Sequence, residues 1–305
     1  MHLNEAIEKF KLWRGYKVKQ GTVKGYDMIL RQFCVFMRNS HIEEVKLDDI
    51  TTWFELMRQL AWDHNSFIPK AQALRKFFEF YHHQNFKIID PWLIPIPKKE
   101  YKIPRIANEE SYQKLLSIIP HDTNDPRHIR NTAIINILWD TGARNGEVLA
   151  LDVPDLDLQK QKALIPTEKS QGARPIREIF WTNPTNKNIE RWIEKRVEIS
   201  KKRSFAEPDA LFVSICSGAL ANTAGKRLTL KGVGEMLRHY CNRAEIPYMN
   251  AHSFRHHMGH DIINKGGSAA DVMNILGHAS LSSSSIYTMM TNQELESRYR
   301  SFKGA

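Results

Sequence analysis

Apolar residues recur with a helical period from the start of the chain. Between Asn4 and Gly15 they fall at Ala6, Ile7, Phe10 and Trp13, on one face of a predicted helix. After a basic loop, Thr22 reads as an N-cap, and Tyr26, Ile29, Leu30, Phe33 and Phe36 mark a second helix. Asp48 and Asp49 open a third, which carries Ile50, Trp53, Phe54, Met57 and Leu60. A fourth runs from Pro69 to Tyr81, with Ala73, Leu74, Phe77, Phe78 and Tyr81 on one side and proline in the first turn, where it is favourable. These helices predict a small all-α domain over residues 1–89.

The pattern then breaks. Residues 90–105, DPWLIPIPKKEYKIPR, combine four prolines with basic side chains and read as an extended linker. A second domain, 106–305, begins with Asn108 as N-cap of a helix to Ile119. A strongly apolar helix follows from Arg127 to Asp140, with Gly142 placed for a left-handed C-terminus. Directly after it, ARNGEVLAL predicts a short helix with Arg144 and Glu147 on one face, which by itself fits a structural ion pair as well as a site. Period-two stretches, KALIPTEK and RPIREIFW, flank the turn Ser170–Ala173 and predict a small antiparallel sheet. Helices return over Asn186–Lys201 and Leu230–Ala244, around a short apolar run, LFVSI. The fold class is mainly α with a small antiparallel β-sheet in the second domain.

Charge adds a partner. Lys and Arg number 44 against 34 Asp and Glu, a net +10, which suggests an anionic partner, nucleic acid before a membrane surface. Lys17, Lys19 and Lys24 surround one loop, Lys70, Arg75 and Lys76 lie on the fourth helix, and Lys98 and Lys99 sit in the linker. A solvated face is the bland reading of such lysines; a phosphate-tracking surface is the sharper one. Cys34, Cys216 and Cys241 are odd in number and far apart, so neither a disulfide framework nor a zinc ribbon is indicated. With no apolar segment long enough to span a bilayer, the expectation is a cytoplasmic protein with no membrane partner.

The chemistry concentrates at the C-terminal end. His252 and Arg255, three apart, share a helical face. Ser268 to Asp271 forms a capping box opening a helix that Gly277 ends, with His278 next. Tyr287 follows the run Ser282–Ser285, and a second capping box, Thr291 to Glu294, opens a terminal helix over 295–302. Two histidines, an arginine and a phenol suit the holding and attack of a phosphate. HHMGH gives His256 and His260 an i, i+4 spacing, but a zinc hydrolase motif needs Glu where His257 stands. No metal and no cofactor are expected.

These stretches resemble the tyrosine recombinases, the phage integrase family, of the Xer-like, Cre-like or transposon-resolvase kind. TGARNGEVLAL is similar to the box holding the family's first catalytic arginine, here Arg144, with Glu147 as its orienting acid. TEKSQGAR resembles the β-hairpin with the catalytic lysine, here Lys169. It lacks the glycine–lysine–glycine pattern, so Lys162 and Arg174 stand as nearby alternatives, with Arg174 also a candidate DNA contact. HSFRHH resembles the H-x-x-R box with His252 and Arg255, and LGHASLSSSSIYT the box with His278 and the nucleophile Tyr287.

The resemblance implies a two-domain DNA clamp. Residues 1–89 would be the helical, SAM-like core-binding domain and 106–305 the catalytic domain. It implies site-specific, metal-independent recombination through a 3′-phosphotyrosyl intermediate, on double-stranded DNA carrying specific sites. It further implies a homotetramer on two DNA sites, with the C-terminal helix exchanged between subunits. A type IB topoisomerase, which uses the same phosphotyrosine chemistry, is the alternative.

Overall fold

The structure is a computed structural model; it describes all residues except 101–104, 122, 167–175, 203, 206–207, 216–223, 279–298, 301–302 and 304–305. The chain divides between Ile103 and Pro104 into two units.

The first unit contains α1 (Leu3–Gly15), α2 (Gln20–Phe36), α3 (Leu47–Gln59) and α4 (Phe67–His82). Helix α2 starts earlier than Thr22 suggests. Lys19 is its N-cap residue, without a side-chain cap, and its carbonyl already accepts from Thr22 N–H at 2.9 Å. The core is aromatic: Phe10 meets Phe77 edge-on at 5.6 Å, and Phe33 meets Trp53 at 5.2 Å. The buried Tyr81 hydroxyl donates to the Ala6 carbonyl at 2.7 Å, tying α4 to α1.

Residues 91–100, read as spacer, are strapped to this unit. Pro91 and Ile94 are buried, and Ile94 belongs to the aromatic core. The Arg75 guanidinium donates to the Ile94 carbonyl. Asn65 and Glu100 exchange two hydrogen bonds at 2.9 Å. Proline removes donors but leaves carbonyls and apolar rings free to pack, so a proline-rich run can be extended and still bound.

In the second unit α5 spans Glu109–Ser117, with the Asn108 side chain accepting from Ser111 N–H. Helix α6 (Pro126–Thr141) is buried on nearly every side and packs against α8 (Asn183–Lys202) and α10 (Ala251–Asn264). It ends at Gly142, whose φ of +55° is left-handed. A β-carbon there would lie 2.8 Å from Leu276 Cδ2 and 2.9 Å from Met258 Cβ, so glycine is required for space as well as conformation. Helix α7 (Asn145–Ala150) follows, then β1 (Leu156–Asp157), β2 (Lys162–Pro166) and β3 (Ile176–Phe180), an antiparallel sheet in the order β1-β2-β3. Helices α9 (Leu230–Arg243) and α11 (Ala269–Leu276) belong to the same unit. LFVSI forms no extended strand; its Leu211, Phe212 and Val213 are buried, and Val213 makes an isolated bridge to Arg227.

The sheet has an inward face of Ala163, Ile165, Arg177 and Ile179, with Ile165 opposite Arg177. Its outward face carries Leu164, Ile176 and Phe180, each more than half exposed. The strand thus turns two apolar residues to solvent and one arginine inward. Among the described residues no helix is long and apolar enough to cross a membrane.

Candidate active site

Two left-handed glycines lie beside the site. Gly142 ends α6 and Gly277, φ +66°, ends α11. Such helix ends leave carbonyls without intrahelical donors and carry partial negative charge. Arg255, from the first half of α10, answers two of them: Nη1 donates to Gly142 O at 2.9 Å and Nη2 to Leu276 O at 2.6 Å. Its side chain is 1 % exposed.

Arg144 is the N-cap residue of α7. Its backbone N–H donates to Glu147 Oε2 at 2.9 Å and its Nη1 to Oε1 at 2.6 Å. Nη2 reaches toward Gly277 O at 3.4 Å. The second oxygen of Glu147 also accepts from Arg177 Nη2 at 3.0 Å. Glu147 is fully buried, and burial by itself would raise its carboxyl. The Arg177 charge, then the Arg144 backbone and side chain, more than reverse this and hold the carboxyl below its ordinary range. Arg144 and Arg177 face the Glu147 carboxylate, and Arg255 joins them around His278, an excess of positive charge suited to an anion.

His278 follows Gly277 directly, its N–H bonded to Met273 O at 2.9 Å. Burial first, then Arg255, Arg144, Arg177 and His252, push its imidazole down to about 4. At neutral pH it is an uncharged ring with one donor and one acceptor nitrogen. His252 stands exposed in the first turn of α10, its ring 4.6 Å from that of His256. In the HHMGH run, His257 stacks on Trp139 at 3.9 Å and is held down by burial.

The structure therefore gathers Arg144, Glu147, Arg255 and His278, with His252 close enough to act on His278. Lys169, Arg174 and Tyr287 lie outside the described residues. Of the alternatives to Lys169, Lys162 lies on the outward face of the sheet and is paired with Glu178 at 2.5 Å, so it points away from the cluster. Arg177 is not among the residues that the sequence singles out, because the alternation of β3 leaves open which of its faces is buried. The signal that could have found it is the pairing with Ala163 and Ile165, whose face must be buried.

In the first unit, Lys17, Lys19, Lys24, Lys98 and Lys99 are exposed. Lys17 Nζ lies 4.3 Å from the Trp13 ring centroid. Lys76 is exposed and paired with Glu79 at 2.6 Å. Lys70 differs from expectation. It is buried, donates to Ser66 O at 3.3 Å and lies over the Trp62 ring, and burial lowers its ammonium pKa. Arg75 is half-buried, with Nη2 turned to the Ile94 carbonyl.

Residues 106–294 match the phage integrase family. The chain is 26 % identical over 301 residues to the tyrosine recombinase XerC of Roseiflexus castenholzii, covering 95 % of this chain and 90 % of that one. It is 28 % identical over 283 residues to XerC of Staphylococcus epidermidis, covering 91 % and 89 %. The fold resembles the Tn1549 transposon integrase in complex with transposon right-end DNA, at TM-score 0.73, 18 % identity and full coverage of both chains. It also resembles XerH bound to its difH substrate, at TM-score 0.65 and 21 % identity over 91 % of this chain and 78 % of that one. A lambda integrase tetramer on a Holliday junction matches at TM-score 0.66 and 12 % identity, over 94 % and 77 %. These matches give the topoisomerase alternative no support. The chain belongs to the phage integrase family, the tyrosine recombinases, and is a site-specific recombinase that breaks and rejoins DNA strands.

Proposed function

We propose that Tyr287 is the nucleophile and that the cluster around Gly142 and Gly277 binds the scissile phosphate. The carrying observation is the convergence of Arg144, Arg255 and His278, from three distant segments, with an excess of positive charge. Attack on a phosphodiester builds negative charge on the non-bridging oxygens, and guanidinium groups stabilise it. Arg144 is the more accessible of the two, so a phosphate meets it first; Arg255 forms the floor and requires the site to open on DNA. Neutral His278 donates one further hydrogen bond.

The Tyr287 oxygen forms a bond to phosphorus and the bond to the 5′-oxygen breaks. His252 takes the phenol proton, and Lys169 gives a proton to the leaving 5′-hydroxyl. The product is a 3′-phosphotyrosyl enzyme. A 5′-hydroxyl from another strand then attacks the phosphorus and releases Tyr287. Glu147 holds Arg144 in place and does not react.

The partner in this reading is double-stranded DNA with specific recombination sites. Lys17, Lys19, Lys24, Lys98, Lys99 and Arg174 track its backbone, and the first unit is the core-binding half of a clamp. Two such DNA sites are joined by a homotetramer, with the C-terminal helix exchanged between subunits, in the cytoplasm. A nicked suicide duplex tests the chemistry. The wild-type chain forms a covalent adduct, and Tyr287→Phe binds the DNA but forms none. An adduct persisting in Tyr287→Phe would falsify the nucleophile assignment.

A further inference from the structure

We propose that Arg177 is a positioning residue for strand cleavage, holding Glu147 so that the charge of Arg144 stays available to the scissile phosphate. This rests on the recombinase reading above and adds a residue to it.

The geometry is specific. Arg177 sits on the inward face of β3, opposite Ile165, and is almost wholly buried. Its guanidinium bridges two other segments: Nη2 donates to Glu147 Oε2 on α7 at 3.0 Å, and Nη1 to Ile275 O at the end of α11 at 2.7 Å. Its stem runs across Gly277, where a β-carbon would lie 2.6 Å from Arg177 Cδ and 2.7 Å from Nε. Gly277 is therefore bare because Arg177 passes over it, one residue before His278. One side chain thus spans the strand that follows Lys169, the acid that holds Arg144, and the helix end that carries His278.

The electrostatics give that bridge a consequence. Arg144 and Glu147 alone form a neutral pair, whose carboxylate would compete with a phosphate for the guanidinium. Adding Arg177 makes the three-membered chain positive by one charge. Glu147 can then fix the Arg144 backbone and side chain without cancelling it. Burial would otherwise favour the protonated acid; the Arg177 charge opposes it first, followed by the backbone, side chain and charge of Arg144. An arginine fork reaches two acceptors on different elements; a lysine keeps the charge and loses one of the bonds. A plain brace would make the same contacts, but its loss would weaken folding without altering how cleavage depends on pH.

The test measures single-turnover adduct formation on the nicked duplex from pH 5.5 to 8.5 with the full chain, alongside DNA binding. In Arg177→Met, Glu147 titrates at a higher pH. The rate loss relative to wild type is then roughly tenfold larger at pH 6 than at pH 8. Arg177→Lys keeps the wild-type pH profile at a reduced rate. In a double-mutant cycle, Glu147→Gln/Arg177→Met is no slower than Glu147→Gln by more than about threefold, because Arg177 acts through Glu147. Comparing the double variant with Glu147→Gln needs no Arg177→Met chain, so this arm decides the matter even where Arg177→Met fails to fold. A loss in Arg177→Met that is the same at every pH overturns the proposal, as do additive losses in the cycle. A wild-type chain that forms no adduct overturns the recombinase chemistry first, and this inference with it.

Discussion

Gly142→Ala is expected to damage the second unit more than its one added methyl group suggests. The first cost is conformational: φ is +55°, and an L side chain there costs about 1 kcal/mol relative to glycine. The second is steric. The new methyl would lie 2.8 Å from Leu276 Cδ2 and 2.9 Å from Met258 Cβ, and forcing a methyl into packed surroundings costs about 1–3 kcal/mol. Together these give about 2–4 kcal/mol, or roughly 4–16 °C in Tm for a unit of this size. Gly266 supplies the control: its φ is +90°, and an added β-carbon meets nothing within 4 Å. Gly266→Ala therefore measures the backbone cost alone. Urea denaturation followed by tryptophan fluorescence compares the two. Adduct formation should fall with Gly142→Ala as well, because the Gly142 carbonyl anchors Arg255 and Arg144 lies two residues on. If Gly142→Ala and Gly266→Ala unfold within about 0.5 kcal/mol of one another, the close packing of α6 against α10 and α11 is refuted.

The other predictions concern titration and DNA. His256 and His278 both titrate at about 4 in the folded chain, below the ordinary 6.5, with burial as the first cause. The unfolded chain therefore binds more protons in that window, and folding stability falls as pH drops from about 6.5 toward 4. His256→Asn should flatten that fall in denaturation curves, and an unchanged slope would count against the burial. For the same reason, the cleavage rate should show no acid limb from His278 between about pH 6 and 8. On DNA, Lys98→Ala and Lys99→Ala should each reduce the slope of log affinity against log salt by about one. Lys70→Met should leave the slope unchanged, because its ammonium is already held by Ser66 and Trp62; a reduced slope would show that it turns out to meet phosphate.

Legibility in the sequence followed the range of the interactions. Arg144, Glu147 and the His252–Arg255 pair could be read because each pair is set by one turn of helix. Gly142 and Gly277 could be read as helix ends because left-handed termini favour glycine locally. Their second duty, making room for Met258, Leu276 and Arg177, depends on elements far away in the chain. Arg177 was invisible for a related reason. Alternation sorts a strand into two faces but does not say which is buried, and the face with Ile176 and Phe180 is the exposed one. Lys70 and Arg75 looked like surface charges from helix periodicity alone. Trp62 from the preceding turn and the strap through Ile94 take them up instead. The same strap explains why a proline-rich stretch read as a spacer while Pro91 and Ile94 pack into the first unit.

The central claim is that Tyr287 attacks a phosphate held by Arg144, Arg255 and His278. The most direct measurement is mass spectrometry of the trapped adduct after protease and nuclease digestion. The account predicts a single modified peptide with the nucleotide remnant on the Tyr287 oxygen, and loss of the adduct in Arg144→Ala and Arg255→Ala chains that still bind DNA. A remnant on any other residue, or full adduct formation without both arginines, would contradict it.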